Sequence, residues 1–172
     1  MSKIINHLRF FSRSDENATV LFSVNATIQR AFDFFTEQLR LRGVGIDLAL
    51  CPEDPQVEGA PNRFEQGVIN LISNARDALA SVPGRQEPVI RVSTVVEGSR
   101  VMIRLADNGP GISKNIIHRI FEPFFTTKPA GAGTGLGLSI VNEIVKEHSG
   151  EVAVESIPDK ETIFTIQLPV AR

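Results

Sequence analysis

Two short stretches, Asp107-Asn108-Gly109-Pro110-Gly111 and Gly131-Ala132-Gly133-Thr134-Gly135-Leu136-Gly137-Leu138, carry residue types suited to holding a nucleotide. An acidic side chain followed by glycines meets a base edge closely, and a glycine run opening a helix meets phosphates with bare backbone amides. Either stretch alone is also what an ordinary tight connection looks like. Their pairing in one chain points to ATP. Asp107 stands to accept from the adenine exocyclic amine, Gly109 and Gly111 let the backbone approach the ring, and Ile112 packs under the base. A hydrogen bond to a charged group of this kind is worth about 1.5–3 kcal/mol. An Asx turn that uses Asp107 and Asn108 locally fits the same residues.

Asn70 and Asn74 are four apart on an expected helix, so they project from one face, a turn from each other. Amide oxygens suit Mg²⁺, which takes a few protein oxygens and completes its shell with water and nucleotide phosphates. Two exposed or helix-capping amides would show the same spacing. Phe121-Glu122-Pro123-Phe124-Phe125-Thr126-Thr127-Lys128 runs into the glycine-rich Pro129 to Gly135, the composition of a hinged lid. Lys128 would reach a terminal phosphate as a point charge. For Phe121 and Phe124 ordinary core packing is the expected role.

These residues need elements to position them. Ile28, Phe32, Phe35 and Leu39 give a helix from Val24 to Leu41 that stops near Gly43, and Val44 to Leu50 reads as a strand. Cys51 to Pro61, with three prolines and several acids, reads as a loop. Phe64, Val68, Leu71, Ile72, Ala75 and Leu79 line one stripe of a helix over Asn62 to Val82, ended by Pro83-Gly84. Val89 to Val96 and Arg100 to Ala106 form an expected hairpin, Leu136 to His148 a helix, and Glu151 to Glu155 and Thr162 to Leu168 closing strands. This order implies an α+β fold, a two-layer α/β sandwich with helices on one face of a mixed, mostly antiparallel sheet and the other face comparatively open. A doubly wound parallel fold is disfavoured, because the Gly-rich segment follows no immediate strand and no acidic residue stands at dinucleotide spacing after it.

The 172 residues fit one domain with room for a sizeable core. Eighteen basic against twenty acidic residues leave a net charge of -2 without a basic block, so neither nucleic acid nor an anionic membrane is an expected partner. The single cysteine, Cys51, excludes an internal disulfide and a cysteine metal cluster. No apolar run is long enough to span a bilayer as a helix, and Met1 to Phe11 lacks the pattern of a secretory signal.

In order and spacing, Asn70 to Asn74, Asp107 to Gly111, Phe121 to Phe125 and Gly133 to Leu138 resemble the ATP-binding sequence boxes of the sensor histidine kinase catalytic domain. That domain belongs to a superfamily shared with DNA gyrase and the Hsp90 chaperones. The resemblance covers roughly Val20 to Val170; Phe64-Glu65-Gln66 and Phe121 to Lys128 are most similar to the nitrogen-regulation and dicarboxylate-sensor group. It implies the Bergerat ATP-binding sandwich, with ATP between the helices and a mobile lid. Asn74, assisted by Asn70, takes the Mg²⁺ position and Asp107 reads adenine. Gly133, Thr134, Gly135, Leu136, Gly137 and Leu138 face the phosphates. Asn70 stands where the hydrolytic relatives carry a water-activating glutamate, and an amide has no useful basicity, which implies that the γ-phosphoryl group is kept for transfer. In two places the chain departs from the pattern. Asp77 occupies a position where many members carry a basic phosphate contact, and Asp159-Lys160-Glu161 replaces the usual glycine before Thr162, an adenine-site position in the family.

The resemblance further implies a cytoplasmic catalytic domain over residues 18–172, preceded over 1–17 by the end of a dimerisation helix and a linker. A histidine on a dimerisation domain outside this chain would be the phosphoryl acceptor, and a response regulator receiver domain the next partner. His7-Leu8-Arg9 lacks the acidic neighbour of the acceptor motif, so His7 reads as a solvent-facing helix residue. A nucleotide-gated protein-binding module without phosphotransfer is the alternative; an ATPase motor or chaperone module is weakened by Asn70.

Overall fold

The computed structural model describes residues 18–129 and 131–171. The helix expected over Ser2 to Arg13, the linker that follows it, and His7 lie outside the described residues. In chain order the elements are β1 (Val20–Ser23), α1 (Val24–Leu41), β2 (Gly45–Ala49), β3 (Gln56–Gly59), α2 (Pro61–Ala80), β4 (Val89–Glu97), β5 (Arg100–Asp107), α3 (Gly137–Glu147), β6 (Glu151–Ile157) and β7 (Glu161–Pro169).

Local chemistry sets the helix ends. Ser23 caps α1 by accepting from the Ala26 amide at 2.9 Å. Gly43, with φ of 67°, reverses the chain after α1 and donates to the Arg40 carbonyl at 3.0 Å. Pro61 opens α2, where its missing N–H is no loss. The Ala60 amide just before it donates to Nε2 of His148, whose Nδ1 lies 2.7 Å from the Ile144 carbonyl. His148 therefore carries its proton on Nδ1 and ties the end of α3 to the start of α2.

The main sheet has the order β2-β4-β5-β7-β6, with β2 parallel to β4 and every other pairing antiparallel. Alternation splits its faces. Ile90, Val92, Val101, Ile103, Leu105, Phe164, Ile166 and Leu168 are buried in one core with Ile28, Phe32, Phe35 and Leu39 of α1, Phe64, Leu71, Ile72 and Leu79 of α2, and Val141 and Val145 of α3. The opposite face carries exposed Arg91, Val95 and Arg104. This is the expected α+β sandwich.

The expected loop Cys51 to Pro61 contains β3, which pairs antiparallel with β1 and buries Phe22 and Val57. Two four-residue strands, β3 among them set between Pro55 and Pro61, carry too short an alternation to declare themselves, and their pairing comes from burial against Phe64 and His148, whose rings lie 5.6 and 5.9 Å from Phe22. Of the two phenylalanines expected in the core, Phe121 packs edge-on against Phe164 at 6.3 Å, but Phe124 is 74% exposed with φ of 67°. The turn that brings Gly135 against the Phe124 carbonyl points its ring outward: a β-carbon on Gly135 would lie 2.4 Å from that carbonyl carbon.

Candidate nucleotide site

Asp107 is the last residue of β5, buried, and paired in register with Thr162 of β7. Its Oδ1 accepts from the Gly109 amide at 2.9 Å, so the Asx turn allowed by the sequence is present. Burial raises the Asp107 carboxyl against the opposing pull of the Gly109 amide and the charge of Arg85, and the balance leaves it at about 6. Oδ1 is committed to the turn, and Oδ2 is left for a donor such as a base amine.

The turn after Asp107 is moulded on its neighbours. Gly109 packs against α2, where an added β-carbon would meet the Ala78 β-carbon at 3.3 Å and Asp107 Oδ1 at 2.6 Å. Gly111, with φ of 71°, lies on the β6–β7 hairpin, and a β-carbon there would meet the Ile157 carbonyl oxygen at 2.4 Å. The Ile112 amide donates to Ser156 Oγ at 2.8 Å, and Ile112 packs partly buried against the core. Ser156 gives its own proton to the Glu161 carbonyl, so at the 3.0 Å Ser156–Thr162 contact the Thr162 hydroxyl donates, and Thr162 keeps acceptor capacity beside Asp107. Asn108 turns away from the site and clamps β4, accepting from the Val89 amide at 2.8 Å and donating to the Glu87 carbonyl at 3.0 Å.

On α2, Asn70 and Asn74 are half-buried and face the first residue of α3. Asn70 Nδ2 donates to the Gly137 carbonyl at 3.4 Å, and a β-carbon on Gly137 would lie 3.9 Å from Asn74 Nδ2. Leu136 precedes the helix without a capping side chain, and the first turn holds no acidic residue. The opening amides of α3 are thus disposed toward an anion. Thr134 Oγ1 accepts from the Leu136 amide at 3.3 Å and so shapes the approach; Leu138 packs against the core. Among the described residues no group of three or more His, Cys, Asp or Glu stands ready to hold a metal. The two asparagine oxygens fit a Mg²⁺ that draws most of its ligands from phosphates and water.

The lid, residues 121–129 and 131–135, folds back on itself. Thr126 Oγ1 accepts from the Lys128 amide at 3.1 Å, and Gly133 covers both, since a β-carbon there would meet Thr126 Oγ1 at 2.9 Å and Lys128 Cδ at 3.0 Å. Arg119 stacks 4.5 Å over Phe125 at the anchored end. Lys128 Nζ donates to Asp77 Oδ2 at 2.6 Å, and Arg76 Nη2 donates to Asp77 Oδ1 at 2.8 Å. Burial pushes the Asp77 carboxyl up, but the Lys128 and Arg76 hydrogen bonds and charges outweigh it and hold the group below the usual range. The departure noted in the sequence is thus the residue that docks the lid on α2. Asn70, Asn74, Asp77, Asp107, Lys128 and the start of α3 come together around α2, and Thr162 joins them at Asp107. Arg85 and Ser156, which brace the Asp107 turn, had no signal in the sequence, because most of their partners are backbone atoms brought close only by the fold.

The family described as histidine kinase-, DNA gyrase B- and HSP90-like ATPase matches residues 59–172. The two-component sensor PprA of Pseudomonas aeruginosa is 35% identical over 176 residues, covering 99% of this chain and 19% of that protein, so the chain spans about a fifth of that relative's length. The catalytic domain of histidine kinase ThkA, in a nucleotide-free form, superposes with a TM-score of 0.77 at 30% identity, covering 89% of this chain and 96% of that domain. Histidine kinase ThkA in complex with response regulator protein TrrA gives a TM-score of 0.76 at 25% identity, covering 98% of this chain and 46% of that one. On the sequence match and the near-complete overlap with the ThkA domain, this chain belongs to the histidine kinase-, DNA gyrase B- and HSP90-like ATPase family, as a histidine kinase catalytic domain.

Proposed function

We propose that this domain binds ATP with Mg²⁺ and donates the γ-phosphoryl group to a histidine on a dimerisation domain, from which an aspartate of a response regulator receives it. The observation that carries this is the joint facing of Asn70 and Asn74 toward the uncapped start of α3, with buried Asp107 at the end of β5. Asp107 reads the adenine amine, Gly109 and Gly111 admit the ring, and Ile112 supports it. Asn74 and Asn70 hold the ion, which when bound neutralises phosphate charge. The amides from Gly133 to Leu138 and the Lys128 ammonium meet the phosphates, and Thr162 accepts at the adenine edge. Catalysis by such a site is positioning and charge stabilisation rather than covalent work. Asn70 supplies no base to activate water. The complex of the similar kinase ThkA with TrrA supports the receiver domain as partner, and a cytoplasmic setting follows from the need for ATP. No helix among the described residues is long and apolar enough to cross a membrane.

Incubation with γ-labelled ATP tests this. The chain alone is expected to acquire no stable label, and addition of the dimerisation domain of its parent protein is expected to place acid-labile label on that domain's histidine. Tight ATP binding with no label transferred would favour a nucleotide-gated binding module. Rapid steady phosphate release by the chain alone would favour an ATPase.

A further inference from the structure

Arg85 lies in the connection between α2 and β4, outside every sequence box of the site. Its guanidinium donates from Nη2 to the Gly109 carbonyl at 2.7 Å and from Nη1 to the Asp159 carbonyl at 3.1 Å. These carbonyls belong to different loops: Gly109 to the turn that follows Asp107, Asp159 to the β6–β7 hairpin. The two loops also meet directly, through the Asp159 amide on the Pro110 carbonyl at 2.7 Å and the Ile112 amide on Ser156 Oγ at 2.8 Å. Asp159 holds φ of 60°, a left-handed backbone unfavourable for a residue with a side chain, and its carbonyl is turned to the guanidinium. A planar fork of donors reaches two carbonyls at fixed separation, which an ammonium on a flexible stem does not.

We propose that Arg85 is a positioning residue for adenine recognition: it staples the Asp107–Gly111 turn to the β6–β7 hairpin and so fixes Asp107 Oδ2 and the Gly109–Gly111 backbone against the base. Its second contribution is electrostatic. The hydrogen-bond partners of Arg85 are neutral carbonyls, so its charge remains directed at Asp107, where it favours the ionised carboxylate. Arg85 touches neither phosphates nor the reacting atoms. It rests on the assignment of Asp107 to the adenine.

The test compares adenosine and ATP binding by calorimetry at 10 °C for the native chain, Arg85→Ala and Arg85→Lys, each checked for a cooperative melt well above that temperature. Arg85→Ala is expected to weaken adenosine about 3- to 10-fold and ATP by the same factor, leaving the ATP-to-adenosine ratio unchanged. Arg85→Lys, with the charge but not the fork, is expected to fall between. A residue that only stabilised the fold would lower the melting midpoint and leave both affinities alone at 10 °C, and that result overturns the proposal. So does a loss confined to ATP, which would make Arg85 a phosphate contact. If Arg85→Ala does not fold, Arg85→Lys decides: native-like adenosine affinity despite the lost fork refutes the proposal, and a several-fold loss supports it. A native chain that binds neither ligand removes the nucleotide site itself, a failure distinct from any difference among the variants.

Discussion

Asp107→Asn is expected to weaken adenosine binding about 10- to 100-fold, the loss of a hydrogen bond to a charged acceptor, while making the unliganded protein more stable at neutral pH. The two effects share one cause. In the folded chain the carboxyl holds its proton up to about pH 6, against 3.8 for the unperturbed group. The folded state therefore binds more protons between these values, and stability falls as pH rises through them. Above about pH 6 the buried carboxylate costs about 3 kcal/mol. Asparagine keeps the oxygen that accepts from the Gly109 amide and drops the charge. At pH 7.5 the variant should melt roughly 6–12 °C higher than native, and the difference should shrink toward zero near pH 4. Adenosine suits the binding arm because it has no phosphate that titrates near pH 6. For the native chain its affinity should be level above about pH 7 and decline through pH 6 toward the value of the variant. A variant that melts below native and binds adenosine normally would contradict the assignment. An ionised group retained at a cost to stability is expected where binding requires it.

Lys128→Ala is expected to lower ATP affinity about 10-fold and ADP affinity much less, since the ammonium is assigned to the terminal phosphate. In the structure that ammonium is paired with Asp77. The pair is about one-third exposed on each side, so solvent screening keeps its worth to about 1 kcal/mol or less. A triphosphate is expected to outcompete such a partner, with Lys128 exchanging Asp77 for phosphate. Asp77→Asn, which frees the lysine and removes a negative charge one helical turn from Asn74, should therefore raise ATP affinity about 3- to 10-fold. Most of that gain should vanish in the Asp77→Asn, Lys128→Ala double variant, because the two residues act through one contact. An unchanged ATP-to-ADP affinity ratio in Lys128→Ala would show that the lysine meets no terminal phosphate.

Much of this was legible in the chain because the informative patterns are local. Phe64 to Leu79 repeat at helical spacing over about four turns, and the observed α2 begins one residue before the expected start and ends two residues before the expected end. Val89 to Asp107 forms its hairpin around Gly98-Ser99 as alternation and turn chemistry required. The boxes lie on the elements they need: asparagines inside a helix, Asp107 at a strand end, the glycine run opening α3. What stayed hidden is long-range. β1 and β3 are four residues each and pair across more than thirty positions. Arg85 finds Gly109 at a separation of 24 and Asp159 at 74, through backbone atoms that carry no residue identity. Phe124 broke the hydrophobic expectation because the turn at Gly135 decides where its ring points. Asp77 read as a missing phosphate contact, and only the fold puts it in reach of Lys128.

The most direct measurement is calorimetric titration of the native chain and Asn74→Ala with ATP, each with and without Mg²⁺. The native chain is expected to bind ATP in both conditions and more tightly with Mg²⁺, and Asn74→Ala to lose about 10-fold in affinity only when Mg²⁺ is present. Absence of ATP binding by the native chain, or binding indifferent to both the ion and Asn74, would contradict a nucleotide site built between α2 and the start of α3.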